Sequence, residues 1–184
     1  SDHDAQRLRR VGWRERAVSV LGNLKSDEAK LDDQRTLDVP ALLRQIGVSP
    51  DAPILVAGST HDGEEMILVE MAGRLRVKHP KLFLILVPRH FERCPELDQK
   101  LRARGVKFMF RTEIAPGHRP EPDALECLVV NTTGELMSFY EPATVVFVGK
   151  SLTASGGQNP IEPAAIGKPV VFGPNMQNFA DIVR

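Results

Sequence analysis

The stretch from Gly156 to Pro163 has the clearest capacity for ligand chemistry. It reads Gly-Gly-Gln-Asn-Pro-Ile-Glu-Pro and precedes the apolar segment Pro169–Phe172. The glycines Gly156 and Gly157 let a backbone approach a ligand and leave its N–H groups free, and a helix start presents a positive dipole end to an anion. This combination is typical of a nucleotide site. A Gly-rich turn before a capped helix explains the same residues without a ligand.

Two polar side chains add to this segment. Glu162 is predicted one turn into the helix, where its carboxylate could accept hydrogen bonds from a pair of sugar hydroxyls. Asn159 could cap the start of the helix or contact the ligand. Both residues suit the recognition of a nucleotide.

Short runs rich in Val, Ile and Phe recur along the chain and predict strands that are buried on both faces. Helical periodicity lies between several of them, in Glu64–His79 and Pro95–Arg104. Alternation of strand and helix predicts a Rossmann-like, doubly wound parallel α/β sheet. The predicted strands are Ala17–Leu21, Pro53–Ala57, Phe83–Val87, Val106–Phe110, Leu125–Val130, Thr144–Val148 and Pro169–Phe172. The first helix is predicted to carry on one face Ile67, Leu68, Met71, Ala72 and Leu75.

Ligands of such sheets bind beyond the carboxyl ends of the strands, so the residues after each strand are the next candidates. The hydroxyls of Ser59 and Thr60 could cap the following helix or also hold a phosphate. Arg89 supplies a fixed cation, and His90 supplies a titratable donor.

Two further strand ends carry residues of the same kind. Gly134 and Glu135 lie in a small turn that opens a helix with free N–H groups. Lys150 and Ser151 follow the next strand, directly before the glycine segment. Four strand ends therefore carry residues that suit a ligand.

Composition excludes several classes of protein. The chain has 184 residues, a formal net charge of +0 and 42% hydrophobic residues, which suits one soluble α/β domain and not a nucleic-acid clamp. No apolar run approaches the roughly 20 residues that a membrane span needs, and the first residues do not resemble a signal peptide. Cys94 and Cys127 are far apart without metal-type spacing, so we expect neither a disulfide nor zinc.

Taken in order, these segments resemble the carboxy-terminal half of the 3-deoxy-D-manno-octulosonic acid (Kdo) transferases, which are two-domain GT-B glycosyltransferases. The resemblance spans nearly the whole chain. The matching segments are 18–27 (Val-Ser-Val-Leu-Gly-Asn-Leu-Lys-Ser-Asp), 58–61, 88–93, 132–136, 156–163, 172–174 and 178–182.

The resemblance implies a function. The family transfers Kdo from CMP-Kdo to a lipid A precursor in lipopolysaccharide biosynthesis, at the cytoplasmic face of the inner membrane. Its carboxy-terminal domain holds CMP, and its amino-terminal domain supplies the acceptor site and the catalytic carboxylate. No cofactor, metal or nucleic acid is implied.

The resemblance also implies roles for the candidate residues. Arg89 and His90 hold the phosphate and cytidine region, and the turn 134–136 presents backbone groups to the nucleotide. Asn159 and Glu162 fix the phosphate and the ribose. Arg89 with Lys150 or Ser151 stabilises the departing cytidine phosphate.

Two positions depart from the family pattern: Gln158 stands where the family commonly has His, and Lys150 where it usually has Gly. Residues 1–184 are expected to form only the donor-nucleotide domain, without the acceptor domain and the final helices. Such a chain should bind the donor without transferring it, and exposed apolar surface would favour self-association.

Two alternatives stay open at this point. One is a GT-B domain for a UDP-sugar. The other is a non-catalytic domain that binds a protein partner or a regulatory nucleotide.

Overall fold

Six parallel strands form the sheet of the computed structural model, which describes residues 2–19, 37–115, 117 and 125–183. The strands are β1 Ile54–Thr60, β2 Phe83–Pro88, β3 Phe108–Phe110, β4 Cys127–Val129, β5 Val145–Val148 and β6 Val170–Phe172. Their order is β3-β4-β2-β1-β5-β6, and every neighbouring pair is parallel. The predicted Rossmann-like class is confirmed.

Helices cover both faces of this sheet. They are α1 Asp2–Arg10, α2 Val39–Gln45, α3 Glu64–Arg76, α4 Cys94–Ala103, α5 Leu136–Tyr140, α6 Ile161–Ala165 and α7 Ala180–Val183. Since successive strand residues point to opposite faces, Val56 and Ile85 pack in one core cluster with α2 and α5. Leu55 and Leu84 pack in the other with α3 and α4. Within the described ranges, no helix combines the length and apolar character that a membrane span requires.

The direction of the connections places a switch point between β1 and β5. The chain leaves β1 into α3 on one face, whereas it leaves β5 towards α6, which lies on the face of α5. In sheets of this kind the crevice for a ligand opens where the connections diverge in this way. The carboxyl ends of β1 and its neighbours are therefore the place to examine.

The six strand predictions from Pro53 onwards are confirmed, although β3 and β4 are three residues each and shorter than expected. The prediction for Ala17–Leu21 lies partly outside the described residues. In its described part, Ala17 ends the 3-10 helix Glu15–Ala17, and no strand forms. Cys94 and Cys127 are free thiols, and both are buried.

The apolar face predicted for α3 is divided in the structure. Leu68 and Ala72 are buried against the sheet, because only this narrow stripe of the helix meets the strands. Ile67, Met71 and Leu75 are 46%, 36% and 38% exposed. The five residues therefore do not form one buried face, and self-association through such exposed residues stays a prediction.

Candidate functional site

An open pocket lies at the carboxyl ends of β1, β2 and β4. It is lined by Ser59, Val87, Pro88, Arg89, Phe91, Thr132, Thr133, Gly134 and Leu136. Ser59 has a left-handed backbone (φ 53°), and the β1–β2 register shifts between Gly58 and Thr60, so the strand ends in an irregular turn at the pocket. The structure thus brings together three of the predicted residues, Ser59, Arg89 and Gly134.

Arg89 is the cation of this pocket. Its side chain is exposed and forms no ion pair with the described residues, while its backbone N–H donates to the Thr60 carbonyl at 3.0 Å. His90 is also exposed, and its ring lies nearly perpendicular to the His61 ring, with 5.7 Å between the two ring centroids. An unpaired guanidinium beside an open pocket can bind an anion with two parallel hydrogen bonds.

The turn after β4 forms the opposite wall. Gly134 is exposed, and its positive φ of 82° suits glycine. The Glu135 carboxylate accepts hydrogen bonds from the Thr132 hydroxyl and from the Arg111 guanidinium, the latter at 3.2 Å. Glu135 therefore holds the turn through its side chain.

Asn131 anchors the same turn to the 3-10 helix Arg111–Glu113. Its amide donates to the Thr112 hydroxyl at 2.8 Å and accepts from the Thr112 N–H at 3.2 Å. The Nε of Arg111 is buried without a hydrogen-bond partner among the described residues. The sequence reasoning missed Arg111, although it follows β3 as Arg89 follows β2.

Two predicted hydroxyls are buried and engaged within the protein. The Thr60 hydroxyl donates to the Glu65 carboxylate at 3.0 Å. The Ser151 hydroxyl donates to the Val148 carbonyl at 2.6 Å and accepts from the Gly173 N–H at 2.9 Å. Both residues are 0% exposed, so their hydroxyls serve the packing of the strand ends in this structure.

The glycine segment differs from its prediction in one respect. Gly156 and Gly157 are buried with φ of 110° and 73°, and their N–H groups are not free. The first donates to the Gln177 side chain at 2.8 Å, and the second donates to the Lys150 carbonyl at 3.0 Å. The prediction of free N–H groups is therefore wrong. The following helix α6 has five residues, so few aligned dipoles stand behind its start.

Packing explains why glycine occupies these two positions. A Cβ at Gly156 would lie 2.7 Å from the Asn178 amide nitrogen, and one at Gly157 would lie 2.5 Å from the Met176 sulfur. The segment 176–178 therefore fills the space that the sequence reasoning left for a ligand.

Asn159 and Glu162 are half-buried and contact each other. The Asn159 amide donates to Glu162 Oε1 at 3.0 Å, and its oxygen accepts from the Ile161 N–H at 3.1 Å. Asn159 therefore bonds the helix start, one of its two predicted roles. Glu162 is the second residue of α6, and its Oε2 has no hydrogen bond to a described residue.

Glu162 also lies close to the buried phenol of Tyr140. Burial raises the pKa of Tyr140, and the negative charge of Glu162 raises it further. The Tyr140 hydroxyl in turn fills the space next to Gly58, where a Cβ would lie 2.1 Å from it. Glu162 is thereby linked to the end of the central strand β1.

In the part of the chain that the structure describes, no three His, Cys, Asp or Glu side chains come together in a group that could hold a metal ion.

Comparison with curated proteins finds 3-deoxy-D-manno-octulosonic acid transferases. The chain is 34% identical to that of Haemophilus influenzae over 185 residues, which cover 97% of this chain and 40% of the relative. It is 33% identical to that of Bordetella pertussis over 191 residues, which cover 100% of this chain and 41% of the relative. The chain thus spans about 40% of the length of these relatives. No protein-family model matches it.

The fold is similar to the crystal structure of the C-terminal CMP-Kdo binding domain of WaaA from Acinetobacter baumannii. The TM-score is 0.67 at 28% sequence identity, and the match covers 78% of this chain and 72% of that one. The chain is therefore a relative of the Kdo transferases, and its fold is similar to that of the CMP-Kdo binding domain of one of them.

Proposed function

We propose that this chain is the donor-binding part of a Kdo transferase. It holds CMP-Kdo while the whole protein, at the cytoplasmic face of the inner membrane, moves Kdo to a lipid A precursor in lipopolysaccharide biosynthesis. The observation that carries the proposal is Arg89 at an open pocket, without an ion pair to any described residue, in a chain whose fold is similar to a CMP-Kdo binding domain.

The pocket suits the leaving group of this reaction. Transfer breaks the bond between the anomeric carbon of Kdo and a phosphate oxygen of CMP, and the electron pair stays on that oxygen. A guanidinium such as Arg89 stabilises this charge with two hydrogen bonds, and the exposed turn at Thr133 and Gly134 offers backbone N–H groups. The Oε2 of Glu162, which has no hydrogen bond to a described residue, can accept one from a ribose hydroxyl.

Only some of the other predicted site residues remain candidates for contact with the ligand. Ser59 lines the pocket, and the Lys150 ammonium forms no ion pair with the described residues, so both remain candidate contacts. Phe91, which is 47% exposed on the pocket wall, adds an apolar surface that the sequence reasoning missed. Thr60 and Ser151 are not proposed as ligand contacts, because their buried hydroxyls bond within the protein.

The proposal gives this chain no role in activating the acceptor hydroxyl. The resemblance assigns the base that deprotonates the acceptor hydroxyl to the amino-terminal domain of the family. We therefore expect the 184-residue chain to bind the donor without transferring it.

Calorimetric titration with CMP, UMP and UDP tests the proposal. We expect CMP to bind more tightly than UDP, with weak affinity because fewer contacts offset the cost of ordering the loops. Tighter binding of UDP would favour the GT-B domain for a UDP-sugar. Absence of binding to all three nucleotides would favour a non-catalytic domain.

A further inference from the structure

The carboxylate of Glu64 is the most heavily bonded buried group near the site. Glu64 is the first residue of α3 and is 0% exposed. Its Oε1 accepts from the N–H groups of Ser151 and Leu152 at 2.8 and 2.9 Å. Its Oε2 accepts from those of His61 and Lys150, both at 2.8 Å.

Three of these four donors are consecutive residues of the loop after β5. Successive N–H groups at 150–152 converge on one anion, and Lys150 adopts a left-handed backbone with φ 57° to make this possible. A non-glycine residue in this conformation is strained, and the surrounding bonds must hold it. Without a carboxylate, three N–H groups at the base of the loop would lose their common acceptor.

The loop that Glu64 holds leads to the glycine segment and to Glu162. The Lys150 carbonyl accepts from the Gly157 N–H at 3.0 Å, and Asn159 two residues later bonds Glu162. The loop is also bonded to the turn that follows β1, because the Thr153 hydroxyl donates to the Asp62 carbonyl at 2.6 Å. The bond between Gly157 and Lys150 therefore couples the position of residues 150–152 to that of the glycine segment and of Glu162.

We propose that Glu64 is a positioning residue for the donor nucleotide. Its carboxylate fills the anion-binding turn at 150–152 and so fixes the loop 149–157, which sets where Glu162 meets the ribose. This inference rests on the proposed function, because its ligand is the nucleoside monophosphate part of the donor. Glu64 acts through the loop and does not itself contact the ligand.

The neighbouring Glu65 provides a matched control. It is equally buried, at 1% exposed, but its carboxylate bonds the Thr60 hydroxyl at 3.0 Å and the Arg93 guanidinium at 3.1 Å. These contacts join α3 to the end of β1 and to the 3-10 helix Phe91–Arg93, and neither involves the loop 149–157. A merely structural carboxylate in this helix should therefore behave like Glu65.

The test compares Glu64→Gln with Glu65→Gln in the 184-residue chain. Glutamine at position 64 keeps one acceptor oxygen and turns an NH₂ group towards two N–H donors, so the loop must move. We expect both variants to melt at lower temperature. At a temperature where all the proteins are folded, we expect Glu64→Gln to bind CMP about tenfold more weakly, and Glu65→Gln to stay within about threefold of the parent.

The outcomes separate this inference from the proposed function. A parent chain that binds no CMP overturns the proposed function and the inference with it. A parent that binds CMP, with a Glu64→Gln variant that binds it equally well, overturns the positioning role alone. Equal losses of affinity in the two variants would show a structural effect only and would also overturn it.

Amide hydrogen exchange on the parent decides the question if Glu64→Gln does not fold. We expect the N–H groups of Lys150, Ser151 and Leu152 to be protected without nucleotide, and saturating CMP to change their exchange by less than about threefold. Fast exchange that CMP alone suppresses would show that the nucleotide, and not Glu64, orders the loop.

Discussion

Two regions at the carboxyl edge of the sheet contain similar residues and use them differently. The open side leaves a cation and a glycine turn exposed. It is formed by Arg89, His90, Phe91 and the turn 132–134. In the closed loop, residues 149–157, the N–H groups of 149–152, 156 and 157 and the Ser151 hydroxyl donate hydrogen bonds within the protein. Glycines and small polar residues at a strand end therefore do not by themselves indicate a ligand contact. What distinguishes the two regions is whether an internal carboxylate accepts from the backbone N–H groups of the turn, as Glu64 does at 150–152.

The largest effect we expect is a loss of folding stability when Gly149 in the closed loop is replaced by alanine. A Cβ there would lie 2.2 Å from the Ser59 carbonyl oxygen, and neither backbone can move without disturbing β1. We expect Gly149→Ala to lower the free energy of unfolding by about 3 kcal/mol or more, as measured by urea denaturation.

Gly134→Ala on the open side is the control for this prediction. Its φ is 82°, but no atom lies within 4 Å of the added Cβ. Only the backbone strain remains, and we expect it to cost about 1 kcal/mol. Equal losses in the two variants would mean that the closed loop is not packed more tightly than the open side.

The next effect concerns Arg89. Because its guanidinium has no partner among the described residues, Arg89→Ala should leave the melting temperature nearly unchanged. CMP affinity should fall by about a hundredfold, the upper range for charged hydrogen bonds to a phosphate. Calorimetry measures the affinity. Arg104→Ala, which removes an exposed arginine from the end of α4, should bind CMP as the parent does.

The smallest effect concerns Glu162. One of its oxygens already bonds Asn159, so only the other, which has no partner in the described part of the chain, remains for the ribose. We expect Glu162→Gln to weaken CMP binding by about tenfold and to change the free energy of unfolding by less than about 1 kcal/mol. The affinity for a 2′,3′-dideoxy analogue should not change. If CMP binding is unchanged as well, the ribose is held elsewhere.

The sequence predicted the sheet well because its signals are local. Runs such as Phe83–Val87 are apolar throughout, which fits strands buried on both faces, and the structure places β2 there. Motif order also predicted the relationship to the Kdo transferases, since each segment matches at its own position in the chain. These two signals also predicted that Arg89 lies at the end of a strand.

The use of several polar residues could not be predicted, because it depends on contacts distant in the chain. Glu64 reads as an acidic residue in the first turn of a helix, and only folding places it against residues 86 to 88 positions further along. The glycines Gly156 and Gly157 predict free N–H groups, because such a pair lets a backbone approach a ligand. Their acceptors come from the Gln177 side chain and the Lys150 carbonyl.

A crystal structure of the chain with CMP tests the central claim most directly. The account predicts that the phosphate lies within hydrogen-bond distance of the Arg89 guanidinium and the turn 132–134. It also predicts that the Glu64 carboxylate keeps its bonds to the N–H groups of residues 150–152. A phosphate bound by those three N–H groups, with Glu64 displaced, would contradict it.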